Sequence, residues 1–157
     1  MKRTIKKVAV IGSGMMGSGI ACHFANIGVE VLLLDIVPKE LTEAETKKGL
    51  TLENKIVRNR LVNEHLTNSL KSKPSPIYSQ AFASRITTGN TTDDMAKIAS
   101  VDWIIEVVVE RLDIKKMVFE QIEKFRKPGT LVTSNTSGIP IHFMSEGRSE
   151  DFQKHFC

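Results

Sequence analysis

Cysteine is nearly missing from this chain: Cys22 and Cys157 are the only two in 157 residues, and aromatics make up just 6%. The two thiols lie far apart in sequence and show no metal-ligand spacing, so neither a disulfide framework nor a metal site can be read. Such sparse usage points to a reducing, cytoplasmic setting, with Cys22 as core packing. Long apolar runs are missing too. The basic start, Met1 to Lys7, leads into Val8 to Ile11, which Gly12 and Gly14 break at once. That is far short of a secretion signal, and nothing else approaches the ~18 residues of a membrane span, so the chain reads as soluble and untargeted. Charge of one sign is scarce: 22 Lys and Arg oppose 18 Asp and Glu, and the cations are scattered. No nucleic-acid partner is indicated, while a ligand carrying phosphates remains compatible with a few local cations.

What is present is an ordinary globular composition, 41% hydrophobic and 25% charged, with 10 Gly and 5 Pro. A chain of this size buries roughly 70% of the surface its unfolded form exposes, enough for one self-sufficient core. There is no internal repeat and no low-complexity tract.

The pattern predicts an apolar strand at Val8 to Ile11, a glycine turn, a helix from Met15 to Asn26 stopped by Gly28, and a second strand from Val29 to Asp35. Continuous apolar strands of this kind are buried on both faces, which implies a parallel βαβ unit. Next comes a polar, helix-prone stretch, Pro38 to Lys71, with Gly49 as a candidate interruption. A single helix of ~30 residues would extend ~45 Å, so part of it is expected to project or to fold back as a helical pair. Lys73 to Pro76 end it, and the segment to Ser84 reads as loop. The alternation then resumes: a strand near Arg85 to Thr87, a helix near Asp93 to Ser100, a strand at Trp103 to Val109, a helix from Asp113 to Lys127, and a strand at Thr130 to Thr133. Gly138 to Met144 suggests a short helix. The economical fold is α/β, an open doubly wound parallel sheet of the Rossmann type. Such folds usually have six strands and five are legible, so truncation is expected.

Gly12-Ser13-Gly14-Met15-Met16-Gly17 places a GxGxxG pattern between the first strand and the first helix. The first glycine permits a tight turn, the second lets backbone approach a pyrophosphate, and the third lets helix and strand pack closely. Asp35 ends the second strand, where a carboxylate can hydrogen-bond an adenosine ribose. It would repel a 2′-phosphate, and Ile36 and Val37 offer no compensating cation, so NAD is preferred over NADP. A methyltransferase binding S-adenosylmethionine also uses a glycine turn and a strand-end acid, but the full spacing favours a dinucleotide.

Further along, Glu110 and Lys115 follow the fourth strand on the side where open α/β sheets bind ligands. Glu106 lies inside the apolar run, and it either has a structural partner or lines the site. Ser134 to Ser137 follow the fifth strand; by spacing alone they read as a turn and cap cluster, with a nicotinamide or substrate contact as the alternative. Four histidines could serve as bases, yet His23 lies within the first helix as a packed or surface residue, His65 and His142 show no acidic partner in local sequence, His155 sits at the very end, and no triad can be read.

Taken together, VAVIGSGMMGSGIA (Val8 to Ala21), Asp35, WIIEVVVERLDIKK (Trp103 to Lys116) and SNTSGI (Ser134 to Ile139) resemble the N-terminal NAD-binding domain of L-3-hydroxyacyl-CoA dehydrogenases of fatty-acid β-oxidation. Pro38 to Lys71 and FASRITTGN (Phe82 to Asn90) look most like large bacterial versions that also carry an enoyl-CoA hydratase domain. The resemblance implies that residues 1–157 are one NAD-binding domain with a helical insertion at about 38–72. It implies NAD contacts from Gly12, Ser13, Gly14, Met15, Met16, Gly17, Asp35, Glu110, Lys115 and Ser137, with Ser137 also touching an acyl-CoA substrate as a supporting catalytic residue. Lys55, Arg58 or Arg60 would meet CoA phosphates. In the family the catalytic histidine stands in an HFFNP box after a segment like Phe152 to Cys157, making His155 a decoy. The resemblance also implies that the dimerising helical domain lies further on, that the full enzyme is a homodimer, and that this chain binds NAD with little or no turnover. The competing readings are a β-hydroxyacid dehydrogenase-like reductase and a non-catalytic NAD-binding sensor.

Overall fold

A computed structural model describes residues 4–157. Five parallel strands, β1 (Lys7–Ile11), β2 (Glu30–Asp35), β3 (Ile86–Asn90), β4 (Trp103–Glu106) and β5 (Leu131–Ser134), form one sheet in the order β3-β2-β1-β4-β5. The strand order reverses between β1 and β4, which opens a crevice at the carboxyl ends of the central strands.

Both faces of the sheet are covered, as an all-parallel sheet requires. Side chains alternate along a strand, so Val8 and Val10 point to one face while Ala9 and Ile11 point to the other. The first face packs on Ala21, Cys22 and Ala25 of α1 (Met15–Asn26) and on Val62 of α4 (Arg60–Lys71), the helix that returns to the sheet after α2 (Glu43–Lys47) and α3 (Lys55–Arg58). The second packs on Phe119 and Ile122 of α5 (Leu112–Phe125), Met144 of α6 (Ile141–Ser145) and Phe152 of α7 (Glu150–Lys154).

The first βαβ unit forms where the sequence places it. Gly28 takes φ +88° as α1 ends, and the Val29 amide reaches back to the Phe24 carbonyl at 3.0 Å. The stretch after β2 is interrupted at Gly49 and folds back, but as three short helices and not a helical pair. Thr42 and Glu45 cap α2 reciprocally, and Gly49 at φ +69° stops it. Residue Asn59 separates α3 from α4 with φ −99° and ψ 10°. The fold-back is held by ion pairs: Arg60 Nη1 to Glu45 Oε2 at 2.8 Å links α4 to α2, and Arg58 grips Asp93 through Nε at 2.6 Å and Nη2 at 2.8 Å.

Other departures are local. Residues 80–85, expected as loop to Ser84 with a strand opening near Arg85, and 95–100, expected as part of a helix, are 3-10 turns. Strand β4 stops at Glu106 because the chain then leaves the sheet, although the Val107 amide still reaches the Ile11 carbonyl at 2.8 Å. The last residues add to the sheet edge: Val132 N donates to His155 O at 2.8 Å, Cys157 N to Val132 O at 3.0 Å, and Ser134 N to Cys157 O at 3.1 Å. Phe156 thus bridges Val132 in the parallel sense, where a sixth strand would lie.

Two α1 glycines test the packing. A Cβ on Gly17 would fall 1.8 Å from the Gly12 carbonyl oxygen, whereas one on Gly19 meets nothing within 4 Å. Gly17→Ala should therefore destabilise the chain by roughly 2 kcal/mol or more, while Gly19→Ala should stabilise it by about 0.5–1 kcal/mol through helix propensity. Urea denaturation of the two variants checks the contrast.

Candidate functional site: a dinucleotide cleft

The cleft begins at the turn between β1 and α1. Gly12 adopts φ +104° and sits so close to β4 that a Cβ would lie 2.5 Å from the Val107 carbonyl oxygen. Only glycine accepts both conditions. Gly14 has open space where its side chain would be, so a ligand can approach the backbone there. The first α-helical bond runs from Ser18 N to Gly14 O at 2.9 Å. The amides at the start of α1 therefore have no intrahelical acceptor and, with the helix dipole, favour an anionic group. Met15 and Met16 stand exposed at this entry, and Ser13 is buried.

Asp35 stands at the end of β2 beside the turn. Its Oδ2 accepts the Ser13 amide at 2.9 Å and the Ser13 hydroxyl, and its Oδ1 accepts the Ile36 amide at 2.7 Å. His65 of α4 joins them, with Nδ1 2.8 Å from Ser13 Oγ and 3.4 Å from Asp35 Oδ2. This partner has no signal in local sequence, because thirty residues of fold-back carry it to the carboxylate. Next to Asp35 lies a cavity of about 610 Å³ lined by Ile36, Val108, Ile114, Met117 and Val118. Its apolar walls suit a flat heteroaromatic ring beside the Asp35 carboxylate. A cavity of about 820 Å³ opens at the opposite edge, among Lys7, Glu30, Thr87 and Lys97, and has neither the glycine turn nor a strand-end acid.

The other side of the crevice is organised by charge. Lys115 lies fully buried on α5, with Nζ 2.8 Å and 3.0 Å from the two oxygens of buried Glu106. Glu106 also accepts the Val108 amide at 2.7 Å and the Ser134 hydroxyl, so it has structural partners on all sides. The same ammonium reaches Glu110 Oε2 at 3.3 Å. In turn, Glu110 Oε1 accepts the Thr136 hydroxyl and the amides of Ser137 and Gly138 at 3.0 Å and 2.9 Å. The Thr136 hydroxyl leads these donors in pulling the Glu110 carboxyl down to about 2. Lys115 thus meets the site through Glu110, and Glu110 fixes the loop that presents Ser137.

Of the three basic residues set against CoA phosphates, Arg58 and Arg60 are spent on Asp93 and Glu45, and Lys55 makes no ion pair among the described residues. His155 Nδ1 donates to the Asp151 carbonyl at 2.7 Å, and the residue lines the amino-terminal edge of the sheet with Thr4, Val101 and Thr130. It is on the wrong edge for the crevice. No group of three metal-ligating side chains occurs among the described residues, nor does a helix long and apolar enough to cross a membrane.

Removing the ammonium alone leaves a buried carboxylate unpaired. Lys115→Met is expected to cost about 3–5 kcal/mol in urea denaturation, and adding Glu106→Gln should recover most of that loss. Equal destabilisation in the single and double variants would show that packing, not charge, holds this corner.

Comparison with known proteins gives the same answer as the geometry. Residues 7–157 match the family described as 3-hydroxyacyl-CoA dehydrogenase, NAD binding domain. A "Probable 3-hydroxyacyl-CoA dehydrogenase" of Bacillus subtilis is 54% identical over 99% of this chain and 20% of its own length; a protein of the same description from Deinococcus radiodurans is 43% identical over 97% and 40%. The crystal structure of 3-hydroxybutyryl-CoA dehydrogenase from Escherichia coli superposes with a TM-score of 0.63 at 32% identity, covering 95% of this chain and 28% of the other. The chain therefore spans a fifth to two-fifths of the length of these two curated relatives. With a glycine turn, an acid at the end of the second strand and a five-stranded parallel sheet, the chain belongs to the family of 3-hydroxyacyl-CoA dehydrogenase NAD-binding domains, and its cofactor is NAD.

Proposed function

We propose that this chain is the cofactor-binding part of an enzyme that oxidises an L-3-hydroxyacyl-CoA to the 3-ketoacyl-CoA. The observation that carries the reading is that the glycine turn, Asp35 and the Glu110-held Ser137 loop all follow the carboxyl ends of parallel strands, on one edge of one sheet. NAD, when bound, supplies the acceptor for the hydride from C3.

The residues divide the work. Amides of Gly12 to Gly17 and the start of α1 hold the pyrophosphate, with Gly14 giving it room and Met15 and Met16 bordering the entry. Asp35 takes the adenosine ribose and disfavours a 2′-phosphate, and the apolar cavity beside it takes the adenine. Glu110 holds the Ser137 loop against the nicotinamide half, and Lys115 steadies Glu110 from within. Ser137 is exposed and its hydroxyl has no partner among the described residues, leaving it free to contact the substrate oxygen. Residues 38–72 serve as a helical insertion bordering the acyl-CoA site, where Lys55, of the three basic residues set against CoA phosphates, is the one without an ion pair among the described residues.

Oxidation also needs a base for the hydroxyl proton, a contribution typically worth ~10²–10⁴-fold. His155 faces the opposite edge, His65 is engaged with Ser13 and Asp35, and neither His23 nor His142 has a carboxylate partner among the described residues to orient it as a base, so this chain by itself binds NAD and turns over little or no substrate. Its two free thiols fit a reducing, cytoplasmic compartment.

Calorimetry of the 157-residue chain with NADH, NADPH and S-adenosylmethionine tests the assignment. NADH should bind most tightly, and Asp35→Ala should weaken it by about tenfold, the scale of one charge-assisted hydrogen bond. Preference for S-adenosylmethionine, or equal binding of NADPH and NADH, would overturn it.

A further inference from the structure

We propose that His65 is a recognition residue of the adenosine-ribose subsite, reading one of the two ribose hydroxyls with its Nε2 while Asp35 reads the other. The inference rests on the NAD-binding reading and adds to it a residue from the helical insertion.

The first support is an accounting of acceptors. A carboxylate offers about four lone-pair sites. Asp35 has already committed Oδ2 to the Ser13 amide and the Ser13 hydroxyl, and part of Oδ1 to the Ile36 amide. That leaves Oδ1 room for one more donor. A ribose carries two neighbouring hydroxyls, so one of them needs a second acceptor. Ile36 and Val37 follow Asp35 and supply no polar side chain.

The second support is the tautomer that the network assigns to His65. The Ser13 hydroxyl has a single proton and gives it to Asp35. Ser13 Oγ can then only accept from His65, so Nδ1 carries a proton in this arrangement. In the neutral ring, Nε2 is then an acceptor. It has no hydrogen-bond partner among the described residues, and the side chain remains 42% exposed beside the 15% exposed carboxylate. One nitrogen is fixed by Ser13, and the other is unpaired among the described residues on a half-open ring beside Asp35. A packing role alone would not need a half-open imidazole fixed through the same serine and carboxylate that the cofactor uses.

Amide substitutions separate the two nitrogens. An asparagine at this position places its amide near Nδ1 and can keep the Ser13 link without reaching as far as Nε2; a glutamine reaches the Nε2 position. NADH binding to the 157-residue chain, with thermal melts alongside, should be about 5- to 10-fold weaker in His65→Asn, and His65→Gln should restore part of it, the range one hydrogen bond supplies. The same proteins are titrated with ADP, 2′-deoxy-ADP and 3′-deoxy-ADP. The penalty for removing one of the two hydroxyls should shrink in His65→Asn. Unchanged NADH affinity in His65→Asn, or weaker affinity with both deoxy penalties intact, overturns the proposal and leaves the cofactor reading standing. Failure of the parent chain to bind NADH takes both down.

Discussion

A single buried ammonium holds half of this site in place. Lys115 is enclosed between the carboxylates of Glu106 and Glu110, and each carboxylate is in turn hydrogen-bonded to loop atoms that would otherwise be free. Burying charges is costly, and the cost is met only when every partner is in place. Here they are: Glu106 ties the end of β4 to Ser134 of β5, and Glu110 collects Thr136, Ser137 and Gly138. The loop after β5 owes its shape less to its own turn chemistry than to these carboxylates.

The opposite wall of the crevice is built on close backbone contact. Gly12 and Gly17 bring β1, α1 and β4 nearer than any side chain would allow, and the chain can then offer backbone amides to a pyrophosphate. The two walls are mechanically joined, since the residues after Glu106 pack against Gly12 on one side and lead into Glu110 on the other. A cofactor lying across the topological switch point would touch both.

Legibility in the sequence followed range. The β1, α1 and β2 unit was readable because its glycines, apolar runs and terminal acid are all local signals. The stretch after β2 was harder: its helical content and the interruption at Gly49 were visible, but the break at Asn59 and the fold-back rest on ion pairs to distant Glu45 and Asp93. Lys115 could be placed near the cleft, but its burial against Glu106 could not, because nothing in a linear pattern shows that Glu106 will face it from the sheet. His65 was unreadable for the same reason. The edge pairing of residues 155–157 with β5 is a further tertiary effect, since three residues carry no period of their own.

The central claim is that both walls of one dinucleotide cleft are assembled within this chain. Amide NMR spectra recorded during an NADH titration test it most directly. The expected result is that Gly12 to Gly17, Asp35 and Ile36 shift along the same saturating curve as Glu110, Ser137 and Gly138. Shifts confined to the first group, or different saturation for the two, would contradict it and leave only an adenosine-phosphate site.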